Sequence, residues 1–548
     1  MDDELRQVTL YDTTLRDGMQ QEGMSVSVDE KVRIALKLDE LGIQFIEGGF
    51  PASNPKEAEF FARMEREKLC TAELVAFGTT RRRGVKAAGD AGLRVLAAAS
   101  PRTVTIVGKT WSLHLREVLR VAPPENLRII ADSVKFLVGE GKRVFYDAEH
   151  FFDAYQDDLG YALDCLRAAA DAGAALVCLC DTNGATLPFE IERTVREVLA
   201  AVDVPVGIHC HNDAECAVAG SLVAVRAGAT QVQGTINGYG ERCGNANLVS
   251  IAPALALKMG AGGLTPAQLE RLTETAHFVA EVCNLSLGTH QPYVGRAAFT
   301  HKGGLHVAAV ETAPQTFEHI DPAAVGNRQR IAISELAGKG AVVRKAREFG
   351  LELDADDDRV SRIVRHLKDR EHRGYQYEAA DGSFDLFLRN ELGEHVPLFR
   401  LESFRVIVEK REDGKAVVEA TIKVHIDGER LISTAEGNGP VNALDAALRQ
   451  AITRIYPHLA DIELVNYKVR ILDEVKGTGA VTRVLLDASD GQSTWGTTGV
   501  SENIIEASWE ALVDSIEFGM LRSRENGAAP EKRECEVEPV AAEGGEDA

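Results

Sequence analysis

No stretch of this 548-residue chain approaches the roughly 18 consecutive apolar residues that a membrane-spanning helix needs. The opening Met1-Asp2-Asp3-Glu4 lacks the basic-then-apolar pattern of a secretory signal. A cytoplasmic location with no membrane partner is therefore expected. Cysteine is sparse and scattered: nine residues, none in a CxxC arrangement. That removes zinc knuckles and disulfide frameworks. Cys178 and Cys180 alternate within Leu176-Val177-Cys178-Leu179-Cys180 and read as small core residues of a strand. Basic residues are in deficit, 61 Lys and Arg against 84 Asp and Glu, a net charge of -23. Nucleic acid and anionic lipid surfaces are poor partners for such a chain. Small anionic substrates survive this exclusion, because one Arg or a metal ion reverses the field locally.

What is present is ordinary globular material, 45% hydrophobic and 26% charged, in a chain long enough for several domains. The first 260 residues repeat one rhythm of a short apolar run, a polar loop and an amphipathic helical stretch. Candidate strands fall at 8–12, 44–49, 73–78, 93–99, 143–148, 175–180, 205–210 and 230–236. Helical patterns between them include 29–41, with Asp29 as N-cap and Gly42 as the stop. Eight such alternations are the mark of an α/β protein with a parallel (β/α)8 TIM barrel. The expected organisation is a barrel over 1–265 and a helical linker region over 266–398 that contributes to the mouth. A C-terminal α+β domain of two β-β-β-α repeats follows over 399–522, then a disordered acidic tail over 523–548.

Unusual polar residues cluster just after the strands, where barrels of this class carry their chemistry. Leu15-Arg16-Asp17-Gly18 follows the first apolar run and His209-Cys210-His211-Asn212-Asp213 follows the seventh. Residues i and i+2 of a strand share a face, so His209 and His211 point one way and Cys210 the other. Two imidazoles and the Asp17 carboxylate make a 2-His-1-carboxylate metal site with open positions. Asn245 is the natural fourth contact, or else a turn residue beside Gly244. The donor set suits Mg2+, Mn2+, Zn2+ or Fe2+, and a Lewis acid that chelates a 2-oxo acid. Arg16 can stabilise a developing oxyanion, or simply pair with Asp17. Glu149 can take a proton, or serve as a first-turn helix acid. Thr182 can hold a carboxylate, or act as an N-cap. Tyr146 is a candidate substrate contact.

These segments resemble a known family. Leu15-Arg16-Asp17-Gly18-x-Gln20, followed at a distance by Lys31, is similar to the first signature of the 2-isopropylmalate, homocitrate and citramalate synthases. Ile208 to Asp213 is similar to the second, and Asn237 to Asn245 to their last barrel loop. Gly437-Asn438-Gly439-Pro440-Val441 and Gly499-Val500-Ser501 resemble their allosteric and dimerisation domain. Glu47 to Pro55, Phe145 to Asp153 and His211 to Ala217 look most like the citramalate synthase branch. Three positions depart from the family pattern: Glu215 replaces a usual Gly, Ala308 a usual acid and Phe317 a usual Tyr.

The resemblance implies a Claisen condensation of acetyl-CoA with pyruvate on a divalent metal, Mn2+ or Mg2+ with Zn2+ as an alternative. It implies metal ligation by Asp17, His209, His211 and Asn245, and catalysis by Arg16, Glu149 and His306, the last from Gly304-Leu305-His306. Pyruvate would be held by Arg16, Thr182 and Tyr146. It implies a homodimer, an amino-acid effector at the C-terminal domain, and a place in isoleucine biosynthesis. The rivals are the same chemistry on 2-oxoisovalerate, a carbon–carbon lyase on the same barrel, and a non-catalytic amino-acid sensor.

Overall fold

Residues 7–332, 338–354, 356–472, 479–491 and 493–525 are described in the structure, a computed structural model. They form two units. The first runs to Phe299 and includes Glu318–Gln329; the second holds Thr300–Phe317 and the chain from Arg330 on.

In the first unit, eight strands close into a parallel barrel in sequence order. They are β1 (Thr9–Asp12), β2 (Phe45–Gly49), β3 (Glu73–Thr79), β4 (Thr103–Lys109), β5 (Arg143–Glu149), β6 (Leu176–Asp181), β7 (Val206–Cys210) and β8 (Gln231–Gly234). β8 closes onto β1 with Leu10 opposite Val232 and Asp12 opposite Gly234. Strand alternation sorts the side chains. Leu10, Ile46, Ile106, Val144, Leu179, Ile208 and Val232 enter the core shared with the surrounding helices. Tyr11, Val75, Phe145, Leu176, Cys178 and Cys180 form a separate cluster on the inward face. Each outward aliphatic chain contributes about 1.5–3 kcal/mol by burial. A one-residue slip would forfeit this on a whole strand, so the register that aims the inward residues is strongly held.

Helix Val28–Leu41 shows how the connections are set. Its N-cap is Ser27 rather than Asp29, in a reciprocal capping box with Glu30, and it ends at Gly42 with φ 96°. The fourth strand differs from the sequence expectation. The pattern over 93–99 predicts a strand, but Ala91–Ala98 is a helix, N-capped by Asp90, and the strand is Thr103–Lys109. The alanine-rich run buries Leu93 and Leu96, one helical turn apart, and leaves Val95 exposed. The alternating Thr103-Val104-Thr105-Ile106-Val107 is the better strand. Residues 266–299 also part from the linker reading: Leu269, Leu272, Ala276, Val279 and Phe299 pack in the barrel's own core.

The second unit begins with β9 (Thr300–His301), parallel to β10 (Arg330–Ile331). Helices Gly304–Thr312, Lys339–Glu348, Asp358–His372 and Asp381–Leu392 gather around Val342, Ile363, Leu367, Phe384 and Phe387. Two antiparallel sheets follow. The first is β11 (Phe399–Lys410), β12 (Ala416–Ile426) and β13 (Glu429–Gly437), with helix Pro440–Ile455 after it. The second is β14 (Glu463–Ile471), β15 (Thr482–Ser489) and β16 (Thr494–Ser501), with helix Ile504–Glu525 after it. Both repeats share one core that includes Ile422, Val424, Leu444, Leu448, Val484, Leu486 and Leu512. The last helix runs through residues 523–525, where the sequence predicts the start of the tail; the tail from 526 lies outside the described residues. Among the described residues, no helix is long and apolar enough to cross a membrane.

Candidate metal centre and active site

The turn after β1 wraps around one carbonyl. The backbone N–H groups of Asp17 and Gly18 both donate to the Thr13 oxygen, at 2.9 and 3.0 Å. Buried Asp12 accepts from the Thr14 N–H and hydroxyl, and the Thr14 hydroxyl accepts from Ile236 N–H. β1 is thereby tied to the loop after β8. Arg16 leaves this turn toward Glu47 at the end of β2, donating from Nε to Oε2 at 2.6 Å. Its guanidinium lies 4.0 Å over the Phe77 ring and 3.2 Å from Asp17 Oδ1. Glu47 is fully buried and also accepts from the Tyr11 and Thr13 hydroxyls. Burial works against the Arg16 charge, but Asp17 and Glu47 outweigh it and raise the pKa.

Asp17 meets the two imidazoles. His209 Nε2 is 3.3 Å and His211 Nε2 3.6 Å from Asp17 Oδ2, and the imidazole rings are 5.2 Å apart. One ligand atom from each of the three residues lies within 4.8 Å of the others. All three side chains are buried. Burial pushes the Asp17 carboxyl up, but Arg16 and the imidazoles hold it well below the usual range. Burial and the neighbouring His209 push His211 down to about 3. A neutral imidazole is the form that ligates a metal.

Asn245 comes to the same point from the loop after β8. Its Nδ2 donates to Asp17 Oδ2 at 2.7 Å. The loop pairs with β7: Asn212 N–H donates to Gly244 O and Ala246 N–H to Cys210 O. Gly244, at φ 85°, is required here, since a Cβ would meet the Gly238 oxygen at 2.0 Å. Asn245 Oδ1 and His211 Nδ1 are buried and have no hydrogen-bond partner among the described residues. An orphaned oxygen beside two imidazoles and a carboxylate fits a divalent cation, which satisfies such an atom.

Glu149, the last residue of β5, forms an ion pair with Lys109, its register partner at the end of β4. It precedes helix Phe151–Asp157 and is not in its first turn. The Thr182 hydroxyl accepts from His150 N–H at 2.9 Å, linking the ends of β5 and β6. The N-cap of the following helix is Leu187, not Thr182. Arg242 clasps the rim, with a two-pronged pair to Asp213 at 2.8 and 2.9 Å and a bond to the Thr182 carbonyl.

Arg16, Asp17, His209, His211 and Asn245 thus come together. Tyr146 does not. It faces outward from β5, fully buried in the layer under the helices, because the inward positions of that strand are Phe145, Asp147 and Glu149. The expected substrate contact is withdrawn on this ground. His306 belongs to the second unit, on helix Gly304–Thr312, with its ring stacked on Phe317 at 4.1 Å. Glu47, Gln233 and Asp147 are given no role by sequence reasoning. Their signal is a polar residue at an inward position of an apolar strand.

Comparison with known proteins places this geometry. Residues 7–279 match the HMGL-like family model. The chain is 51% identical to the (R)-citramalate synthase of Geobacter sulfurreducens, over 94% of this chain and 98% of that one. It is 49% identical to the (R)-citramalate synthase of Streptomyces coelicolor, over 95% and 97%. The chain belongs to the (R)-citramalate synthase family. Within this enzyme family the second unit is accounted for too. Residues 293–374 match the homocitrate synthase post-HMGL domain-like model, and 378–520, with both repeats, the LeuA allosteric (dimerisation) domain. Identity to the 2-isopropylmalate synthase of Methanocaldococcus jannaschii is lower, 31% over 93% of this chain and 94% of that one. The balance of likeness favours the citramalate synthase branch.

Proposed function

We propose that the chain is a citramalate synthase, condensing acetyl-CoA with pyruvate and water to give citramalate and free CoA. The observation that carries the reading is the convergence of Asp17, His209 and His211 beside an Arg16 held in place by buried Glu47. Asp17, His209 and His211, with Asn245, would hold a divalent ion, Mn2+ or Mg2+. When bound, the ion supplies Lewis acidity to the keto and carboxylate oxygens of pyruvate.

The chain's own residues do the rest. Thr182 keeps a hydroxyl proton to donate to the pyruvate carboxylate while accepting from His150 N–H. Glu149 takes a proton from the acetyl methyl group. The enolate carbon bonds to the keto carbon, and the carbonyl pair becomes an alkoxide that faces the Arg16 guanidinium. That charge is already oriented by Glu47, so little reorganisation accompanies the step. The alkoxide takes up a proton to become the tertiary hydroxyl of the product. Water then adds to the thioester carbonyl, the carbon–sulfur bond breaks, one proton of that water goes to the departing thiolate as CoA, and the other is released from the new carboxylic acid to solvent. Loss of the thioester makes the sequence irreversible.

The second unit holds two copies of the enzyme together through its repeats and binds an amino-acid end product of the pathway, isoleucine, as an effector that shifts activity. The enzyme works in the cytoplasm. The test is thiol release by purified protein given acetyl-CoA, Mn2+ or Mg2+, and either pyruvate or 2-oxoisovalerate. Release with pyruvate is expected. Preference for 2-oxoisovalerate moves the reading to isopropylmalate synthesis, and no release with either 2-oxo acid overturns it.

A further inference from the structure

Gln233, on β8, is fully buried and faces into the barrel. Its Oε1 lies 3.1 Å from His209 Nδ1, and its Nε2 donates to Asp147 Oδ1, also at 3.1 Å. Asp147, on β5, is 3% exposed. Cys178 and Cys180 stand near it on the inward face of β6, and burial keeps the Cys178 thiol protonated. Among the described residues, Gln233 is the hydrogen-bond donor to Asp147. Three buried groups from β5, β8 and β7 therefore form one chain that ends on a residue of the metal centre.

The direction of that chain has a chemical consequence. A side-chain amide turned over exchanges its oxygen and nitrogen while keeping its shape. An ionised carboxylate only accepts, so Asp147 selects the orientation that presents Nε2 to it and Oε1 to His209. An acceptor at Nδ1 requires the imidazole proton there. The lone pair is then on Nε2, the nitrogen that faces Asp17 at 3.3 Å. With the amide reversed, its N–H would meet Nδ1, the proton would move to Nε2, and ligation through Nε2 would be blocked.

We infer that Gln233 is a positioning residue, held in one orientation by Asp147, that fixes the His209 tautomer in which Nε2 can ligate a divalent cation. The inference rests on the metal-centre reading above and adds a support that reading does not contain. A ligating histidine commonly donates its second N–H to such a partner, and loss of the partner weakens metal affinity by about 10- to 100-fold.

The experiment is Mn2+ binding to metal-free protein, followed by calorimetry at pH 8, above the value of about 7 to which burial pushes Asp147. Gln233→Leu is expected to lower affinity by about 10- to 100-fold. The exchange variant, Gln233→Glu with Asp147→Asn, keeps an acceptor for His209 and a donor behind it. It is expected to recover most of the loss, which a purely steric role would not produce. Thermal unfolding of the metal-free proteins, run alongside, separates misfolding from weakened binding. Gln233→Leu binding Mn2+ as tightly as the unaltered protein overturns the inference, as does an exchange variant no tighter than Gln233→Leu. Unaltered protein that binds no divalent cation overturns the metal-centre reading itself, and the inference falls with it.

Discussion

Glu47 Oε2 receives Arg16 Nε at 2.6 Å from beneath, with no exposure to solvent on the Glu47 side. The pair is more than a structural ion pair. Its Arg end is open toward the mouth, with 16% of the side chain accessible, and its Glu end is locked by the Tyr11 and Thr13 hydroxyls. Such an arrangement orients a charge before any substrate arrives.

Removing that lock should cost rate more than binding. Glu47→Ala leaves Arg16 with Asp17 as its remaining carboxylate partner and frees the guanidinium to turn. We expect kcat to fall by about 10²- to 10³-fold, the scale of losing one preorganised oxyanion donor, with KM for pyruvate changing far less. Glu47→Gln keeps an acceptor for Nε and should fall less. Steady-state thiol release decides; a change confined to KM would place Arg16 in ground-state binding instead.

Among the described residues, Asp17 is the one carboxylate that touches both imidazoles. Asp17→Asn should abolish tight Mn2+ binding in calorimetry and reduce thiol release to background. Chelation of the unaltered protein should do the same, and added Mn2+ should restore activity to that protein alone. Full activity in the variant would remove the metal centre from the mechanism.

The contrast between these residues shows what a sequence displays. Asp17, His209 and His211 are legible because each lies at or just after the end of an apolar run, and an H-x-H pair at the end of a strand is a rare pattern with a chemical meaning. Glu47 and Gln233 are single polar residues in apolar stretches, and their importance depends on partners from β1, β5 and β7 that no local pattern announces. Tyr146 fails for a related reason: one step along β5 reverses the face, and a cluster quoted as a block hides that parity. The fourth strand is not legible, because Leu93 to Ala99 is as apolar as a buried strand, and a short apolar run does not declare its period. The twofold β-β-β-α repeat was legible because repetition needs no partner to be seen.

The second unit carries an apolar face suited to self-association. Along β14, Val465, Tyr467, Val469 and Ile471 alternate and are 39–55% exposed. The residues belong to the segment that matches the LeuA allosteric (dimerisation) domain. Val465→Glu combined with Val469→Glu should convert a dimer to a monomer in light scattering, because burying two unpaired carboxylates is strongly unfavourable. A dimer of unchanged mass would place the interface elsewhere.

Asp514 offers a test of pH linkage away from the barrel. It is half-buried on helix Ile504–Glu525 with the Ser383 hydroxyl donating to it at 2.5 Å, and desolvation, with the nearby Glu510 and Glu517 charges, raises its pKa from 3.8 to about 7. A carboxyl with a raised folded-state pKa favours the folded state while protonated. Its contribution is complete below the unfolded value near 3.8 and is lost as pH climbs through about 7. Between those limits the cost of keeping it buried rises by about 1.4 kcal/mol per pH unit. Asp514→Asn keeps an oxygen to accept from Ser383 and removes the titration. Its unfolding midpoint should lie well above that of the unaltered protein at pH 8 and close to it at pH 4, where both side chains are neutral. Equal shifts at the two pH values would mean that the ionised carboxylate finds compensation within the fold, and that burial alone does not set its energy.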